Sequence, residues 1–247
     1  MFKRICFKRG DITMVDYGYI KRNYENLISE ISSYEARYER KITTVAVTKS
    51  GSDEELIALA KAGVTDIGEN RPGELKRRGD LLRALGYTPK LHEIGNLQRN
   101  KVKLIIDSVD LIHSVDSVSL AVEIDRAAKK RGITVPVLIE INSAEEDSKG
   151  GILPSLAEEF YLSIKDLSGI SVRGIMTMGP VSDDREKIRP YFRLTKEIFD
   201  TIAEKYGFDG EGILSMGMSD SYRTAIEEGS TLVRVGRKLF DKNEGRI

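Results

Sequence analysis

Cysteine occurs once in the chain, as Cys6, so no intramolecular disulfide can form and no metal site can rest on paired thiolates. Histidine occurs twice, as His92 and His113, which leaves too few imidazoles for a His-rich metal cluster. Net charge is missing as well: 39 Lys and Arg cancel 39 Asp and Glu. That balance gives no reason to expect a nucleic acid or an acidic membrane surface as partner. No apolar run approaches the length of a membrane-spanning helix. The opening MFKRICFKRG is basic without a long apolar segment, a poor secretory signal. These absences make the cytoplasm the expected compartment. Residues 1–13 read as a disordered extension, and Met14, where helical patterning begins, offers an alternative start.

What remains is an ordinary globular composition, 247 residues with 40% hydrophobic and 32% charged side chains. It has no Pro/Gly/Ser-rich linker. Short β-rich runs alternate with amphipathic stretches. The first stretch, 17–40, places Tyr17, Ile20, Tyr24, Leu27, Ile28 and Ile31 on one helical stripe. Strands are expected at 43–47, 66–68, 90–95, 111–115, 135–142, 172–178, 212–217 and 232–236. Between them helices are expected from Ser52 onward (an N-cap followed by Asp53 and Glu54) and over 72–84, 98–107, 117–131, 153–165, 183–206 and 219–228. Parallel strands need such crossovers. Eight evenly sized units predict a single (β/α)8 barrel preceded by an extra helix. An open doubly wound sheet is the alternative, and no G-x-G-x-x-G follows the first strand to support it.

In such a barrel the chemistry lies at the carboxyl ends of the strands. Lys49 follows the apolar run Val45-Ala46-Val47. There it either snorkels to solvent or stands partly desolvated over the mouth, where a lowered pKa would make it a nucleophile toward a carbonyl. Ser219, in the segment from Ser215 to Asp220, is expected to cap the next helix and to favour an anion there. Gly236, after the last strand, would let backbone approach a ligand. Two adjacent loops thus point to phosphate. Arg234 lies inside a strand that should be buried on both faces, so it should meet a carboxylate such as Glu140 or Glu69, or a polar ligand. His92 and His113 read as satisfied core or rim residues. Glu145, Glu146 and Asp147 read as a solvated acidic loop, and no metal site is expected.

Several segments together resemble the pyridoxal phosphate homeostasis proteins, relatives of the barrel domain of alanine racemase. They are AVTKS (46–50), IGEN (67–70), HEIGNLQRNK (92–101), HSVDS (113–117), INSAEEDSKGG (141–151), RGIMTMGP (173–180), LSMGMSD (214–220) and AIEEGSTLVRVG (225–236). The resemblance implies one pyridoxal 5′-phosphate (PLP) domain over 14–247, with PLP held as a Schiff base on Lys49. It places Ser219, Gly236 and Arg237 at the phosphate, Arg234 at the pyridine nitrogen, and Asn70 and Met218 along the ring. An always-protonated guanidinium there keeps the ring nitrogen an acceptor and the ring a weak electron sink. The chain departs from the family at Gly51, Arg71-Pro72, Asn96, Ser221 and Arg237.

The function this implies is a PLP-binding protein of intracellular vitamin B6 homeostasis and amino-acid balance. Its expected partners are PLP and PLP-requiring apo-enzymes, and a monomer is the default. A PLP-dependent amino-acid racemase is the alternative. The racemases carry a following β domain with a tyrosine base, which is not expected here, and Tyr161, Tyr191 and Tyr222 offer no obvious substitute. A third reading, a phosphate-binding barrel enzyme without PLP, holds if Lys49 is a surface lysine.

Overall fold

The computed structural model describes residues 16–146, 150–180, 182 and 184–243. Cys6, the extension 1–13, Met14 and Asp147 lie outside the described residues.

Eight parallel strands close into a barrel in chain order: β1 (Thr43–Val47), β2 (Asp66–Glu69), β3 (Lys90–Glu93), β4 (Leu111–Val115), β5 (Val135–Ile141), β6 (Ile170–Thr177), β7 (Ile213–Ser215) and β8 (Leu232–Val235). β1 pairs with β2 on one side and with β8 on the other, in the register Val45↔Arg234 and Ala46↔Val235. The intervening helices are α2 (Asp53–Lys61), α3 (Pro72–Ala84), α4 (Val102–Ile105), α5 (Val118–Lys129), α6 (Ala157–Ile164), α7 (Arg185–Tyr206) and α8 (Tyr222–Glu227). α1 (Gly18–Tyr38) precedes the barrel, and the short α9 (Arg237–Phe240) follows it. Among the described residues no helix is long and apolar enough to cross a membrane.

Strand alternation sorts the core into two layers. Val45, Leu111, Leu138, Met176 and Leu232 form a separate cluster that fills the barrel. The neighbours that face outward, among them Ala46, Ile67, Ile112, Ile139, Ile175 and Val233, join the helices in the larger cluster. On α1, the stripe Ile20, Tyr24, Leu27 and Ile31 is buried. Asn23 on the same helix donates to the carbonyls of Leu239 and Asp241 at 3.3 and 2.8 Å, fastening α1 to the end of α9. Ser52 caps α2 as expected, in a reciprocal capping box with Glu55.

Three helices are shorter than the sequence pattern predicts. The stretch 98–107 is a 3-10 turn, Arg99–Lys101, followed by the single turn of α4. Gln98 provides no side-chain cap, and the cations of that first turn oppose the helix dipole. The stretch 153–165 likewise begins as a 3-10 turn at Pro154 before α6. The third, expected from 219, starts at Tyr222.

Candidate functional site

Period-2 alternation carries Val45, Val47 and Lys49 on one face, so Lys49 leaves β1 at the barrel mouth. The turn that holds it is fixed from below. Gly51 N–H donates to Thr48 O at 2.9 Å. Arg78, buried on α3, donates to the carbonyls of Thr48 and Gly51, the latter at 2.6 Å, and so brackets Lys49. Arg78 is itself held by the buried Glu69 carboxylate at 2.7 Å, which also accepts from Thr48 Oγ1 at 2.5 Å. Gly51, one of the departures from the family pattern, has a physical reason here. A Cβ at that position would lie 2.4 Å from the Phe240 ring.

Lys49 opens onto a cleft of about 290 Å³. Asn70, Met218, Ser219, Arg234, Gly236 and Arg237 line the same cleft, so all seven residues singled out from the sequence come together. Val47, Ile94, Met178 and Ile188 supply apolar wall that the sequence reading missed. They end or follow strands or stand on α7, and only the closed barrel aims them inward.

Three local expectations are corrected. Lys49 is solvent-exposed at the cleft, not desolvated, because its strand has ended before it. Ser219 is not a helix cap. α8 begins three residues later with Ser221 at its N-cap position, and Ser221 Oγ takes the Met218 amide at 3.1 Å. Ser219 Oγ instead accepts from Gly236 N–H at 3.1 Å, joining the two loops. Arg234 forms no ion pair with Glu140 or Glu69. Its Nη1 donates to Ser215 O at 3.0 Å and Ser215 Oγ at 2.5 Å, and its Nη2 to Thr177 O at 2.9 Å. Glu69 is occupied by Arg78, and two backbone carbonyls and the Ser215 hydroxyl accept the guanidinium's hydrogen bonds in place of a carboxylate.

Burial pushes Arg234 down to about 10, with the charge of Glu140 pulling the other way. Glu140 is pushed up to about 7 by burial and then by Asp116, with Arg234 opposing. At the cleft rim, the exposed Arg237 is paired with Asp220.

The two histidines are satisfied core residues, as their isolation in the sequence suggested, but they are linked. His92 Nε2 lies 2.9 Å from Asp66 Oδ1, His92 Nδ1 lies 2.9 Å from His113 Nε2, and His113 Nδ1 lies 3.0 Å from Ser215 Oγ. All of these side chains are buried, and the chain ends at Arg234.

With this geometry in hand, the comparisons decide the family. Residues 15–243 match the alanine racemase N-terminal domain family. A pyridoxal phosphate homeostasis protein of Aquifex aeolicus is 38% identical over 81% of this chain and 86% of its own. The chain belongs to the pyridoxal phosphate homeostasis protein family. A solved protein from Bifidobacterium adolescentis, described as unknown, is similar with a TM-score of 0.85 and 35% identity, covering 94% of this chain and 98% of that one. PipY of Synechococcus elongatus, solved with PLP bound, gives a TM-score of 0.79 at 26% identity, covering 90% of this chain and all of that one (100%). Membership in the family fits the barrel, and it directs attention to the cleft that the strand ends enclose.

Proposed function

We propose that this chain binds PLP in the cleft at the barrel mouth, with Lys49 as the Schiff-base lysine. Its role would be to hold the cofactor for intracellular vitamin B6 homeostasis and amino-acid balance, without turning over a substrate. The observation that carries this reading is the convergence of Lys49, Arg234, Ser219 and Gly236 on one cleft.

The residues present fit the group. Lys49 offers a primary amine on the open side. Gly236 forms a close-fitting cradle, since a Cβ there would press on the Val47 carbonyl oxygen at 3.0 Å. Ser219 and Arg237 flank that cradle as donors suited to a phosphate. Arg234 uses three of its donors on Ser215 and Thr177, which leaves its Nε–H and one Nη2–H for a ligand. Asn70 and Met218 would border the ring. PLP supplies an aldehyde that condenses with an amine and a ring that spreads negative charge. The protein's part would be to hold the amine and the anion cradle within reach of the neighbouring aldehyde and phosphate arms, with Arg234 toward the ring nitrogen.

A racemase needs two bases, one on each side of the substrate. Among the described residues the cleft lining holds Lys49, Asp220, Arg234 and Arg237 but no tyrosine or histidine, and Asp220 is paired with Arg237. Tyr161 gives its hydroxyl to Gly207 O at 2.8 Å, and Tyr222 is buried. That favours the carrier. PLP-requiring apo-enzymes are the proposed recipients.

The test is an absorbance spectrum of purified protein before and after borohydride, followed by peptide mapping. A visible band that reduction fixes on the Lys49 peptide, and that Lys49→Ala lacks, supports the reading. Unchanged colour in Lys49→Ala removes the Schiff-base assignment. Racemisation of free alanine at enzymatic rates would replace the carrier with the racemase.

A further inference from the structure

A line of polar side chains crosses the barrel interior among apolar neighbours. Asp66 on β2, His92 on β3, His113 on β4, Ser215 on β7 and Arg234 on β8 are joined end to end. His113 and Ser215 are fully buried, and the other three are 3–6% exposed. Burying such groups beside Leu111, Leu138 and Met176 is costly unless every member is bonded.

We propose that Asp66, His92, His113 and Ser215 are positioning residues for Arg234, acting as one hydrogen-bond chain of fixed direction that holds the guanidinium against the cleft. The inference rests on the reading of the cleft as a PLP site.

The direction follows from the two ends. A guanidinium only donates, and an ionised carboxylate only accepts. Asp66 is ionised: burial raises its pKa, but hydrogen bonds from His92 and Thr65, with Lys90 in the same sense, outweigh that and bring it below the ordinary value. His92 must therefore present Nε2–H to Asp66, and a neutral His92 then accepts at Nδ1. His113 donates to it from Nε2 and is left to accept at Nδ1. Ser215 turns its hydroxyl hydrogen to His113, which frees both oxygen lone pairs for Arg234 Nη1. Burial above all, with the charge of Arg234 acting in the same sense, keeps His113 well below its ordinary pKa and so neutral. One extra proton on His92 would reverse each bond from there to Ser215. His113 would then donate to the hydroxyl, whose hydrogen would lose its imidazole acceptor. The other groups acting on the two ends are Tyr24 and Lys90 at Asp66 and Glu140 at Arg234.

The chain has two imidazoles, so nitrogen-15 NMR of histidine-labelled protein reads both at once. Both are expected as the neutral Nε2–H form at pH 7. A protonated ring, or an Nδ1–H form, at either position would overturn the proposal. This arm needs neither a variant nor PLP, so it decides the chain's direction even if the cofactor reading fails. The second arm uses PLP-loaded protein. His113→Leu keeps the volume and removes the acceptor; it should weaken PLP retention roughly tenfold and move the visible band and its pH profile. His113→Asn, which can still accept from Ser215, should restore most of both. Retention, band and pH profile equal to wild type in a folded His113→Leu protein would refute the link to Arg234. Wild-type protein that takes up no PLP would instead refute the cofactor reading.

Discussion

Ser219 Oγ accepts the Gly236 amide hydrogen at 3.1 Å, tying the loop after β7 to the loop after β8 at the edge of the cleft. The bond sets the spacing of the two loops that would receive the phosphate. Ser219→Ala should reduce PLP retention roughly five- to tenfold, about the worth of a lost hydrogen bond to a charged group, and leave Lys49 reducible. Equilibrium dialysis with the visible band as readout checks this; unchanged retention would remove Ser219 from the site.

Arg78 should matter to Lys49 in two separable ways. Arg78→Ala leaves the Glu69 carboxylate buried and unpaired, at a cost of about 3–5 kcal/mol in urea unfolding. Pairing it with Glu69→Leu should recover much of that stability. The double variant still lacks the donors to the Thr48 and Gly51 carbonyls, so condensation of PLP with Lys49 should remain slow. If it regains the wild-type rate, the bracket around Lys49 has no positioning role.

Stability should fall toward alkaline pH through one buried acid. Burial pushes Glu93 up to about 8; the Gly95 amide works against that, and Glu69 adds to it. Beyond the Gly95 amide, neither carboxylate oxygen of Glu93 has a hydrogen-bond partner among the described residues. Between its ordinary value near 4.5 and about 8, the folded protein keeps a proton that the unfolded chain has released. Stability therefore declines as pH rises through that window, and the loss is complete above it. Glu140, raised to about 7, adds in the same sense. Glu93→Gln should flatten Tm between pH 5 and 8 relative to wild type and raise it at pH 8, by a few kcal/mol in equivalent stability. A wild-type Tm that climbs over that window would contradict the assignment.

At Gly51 the expected effect is steric. Gly51→Ala drives a methyl into the Phe240 ring and should cost about 1–3 kcal/mol. Phe240→Leu should relieve part of that cost in the double variant. Strictly additive losses in denaturant melts would show that the two positions do not press on each other.

The fold was legible because short, mostly buried strands, several of them rich in β-branched residues, alternate with helices that carry an apolar stripe. The cleft residues were legible because barrel loops after β7 and β8 converge whatever their detail. Other features depended on geometry between strands. His92 pairs across to Leu111 on β4, and His113 stands two residues further along. That offset, together with closure of the barrel onto β7, brings the imidazoles to each other and to Ser215. No single strand's sequence shows it. The Arg234 partners were misjudged for a related reason: carbonyl groups at strand ends are invisible in a search for acids. Ser219 and Ser221 differ by two positions in one loop, and only the backbone path decides which one precedes α8.

Barrel closure by β1 against β8 has a consequence for biosynthesis. Lys49 follows the first strand and Arg234 lies on the last, so the seam Val45↔Arg234 joins segments made at opposite ends of translation. A nascent chain still lacking β8 carries Lys49 without the Arg234 and Gly236 side of the cleft. Such sequence-distant pairing is slow to form. PLP bridging the seam would act as a clasp on the finished barrel, so newly synthesised protein in B6-starved cells should be more open to proteolysis than in replete ones.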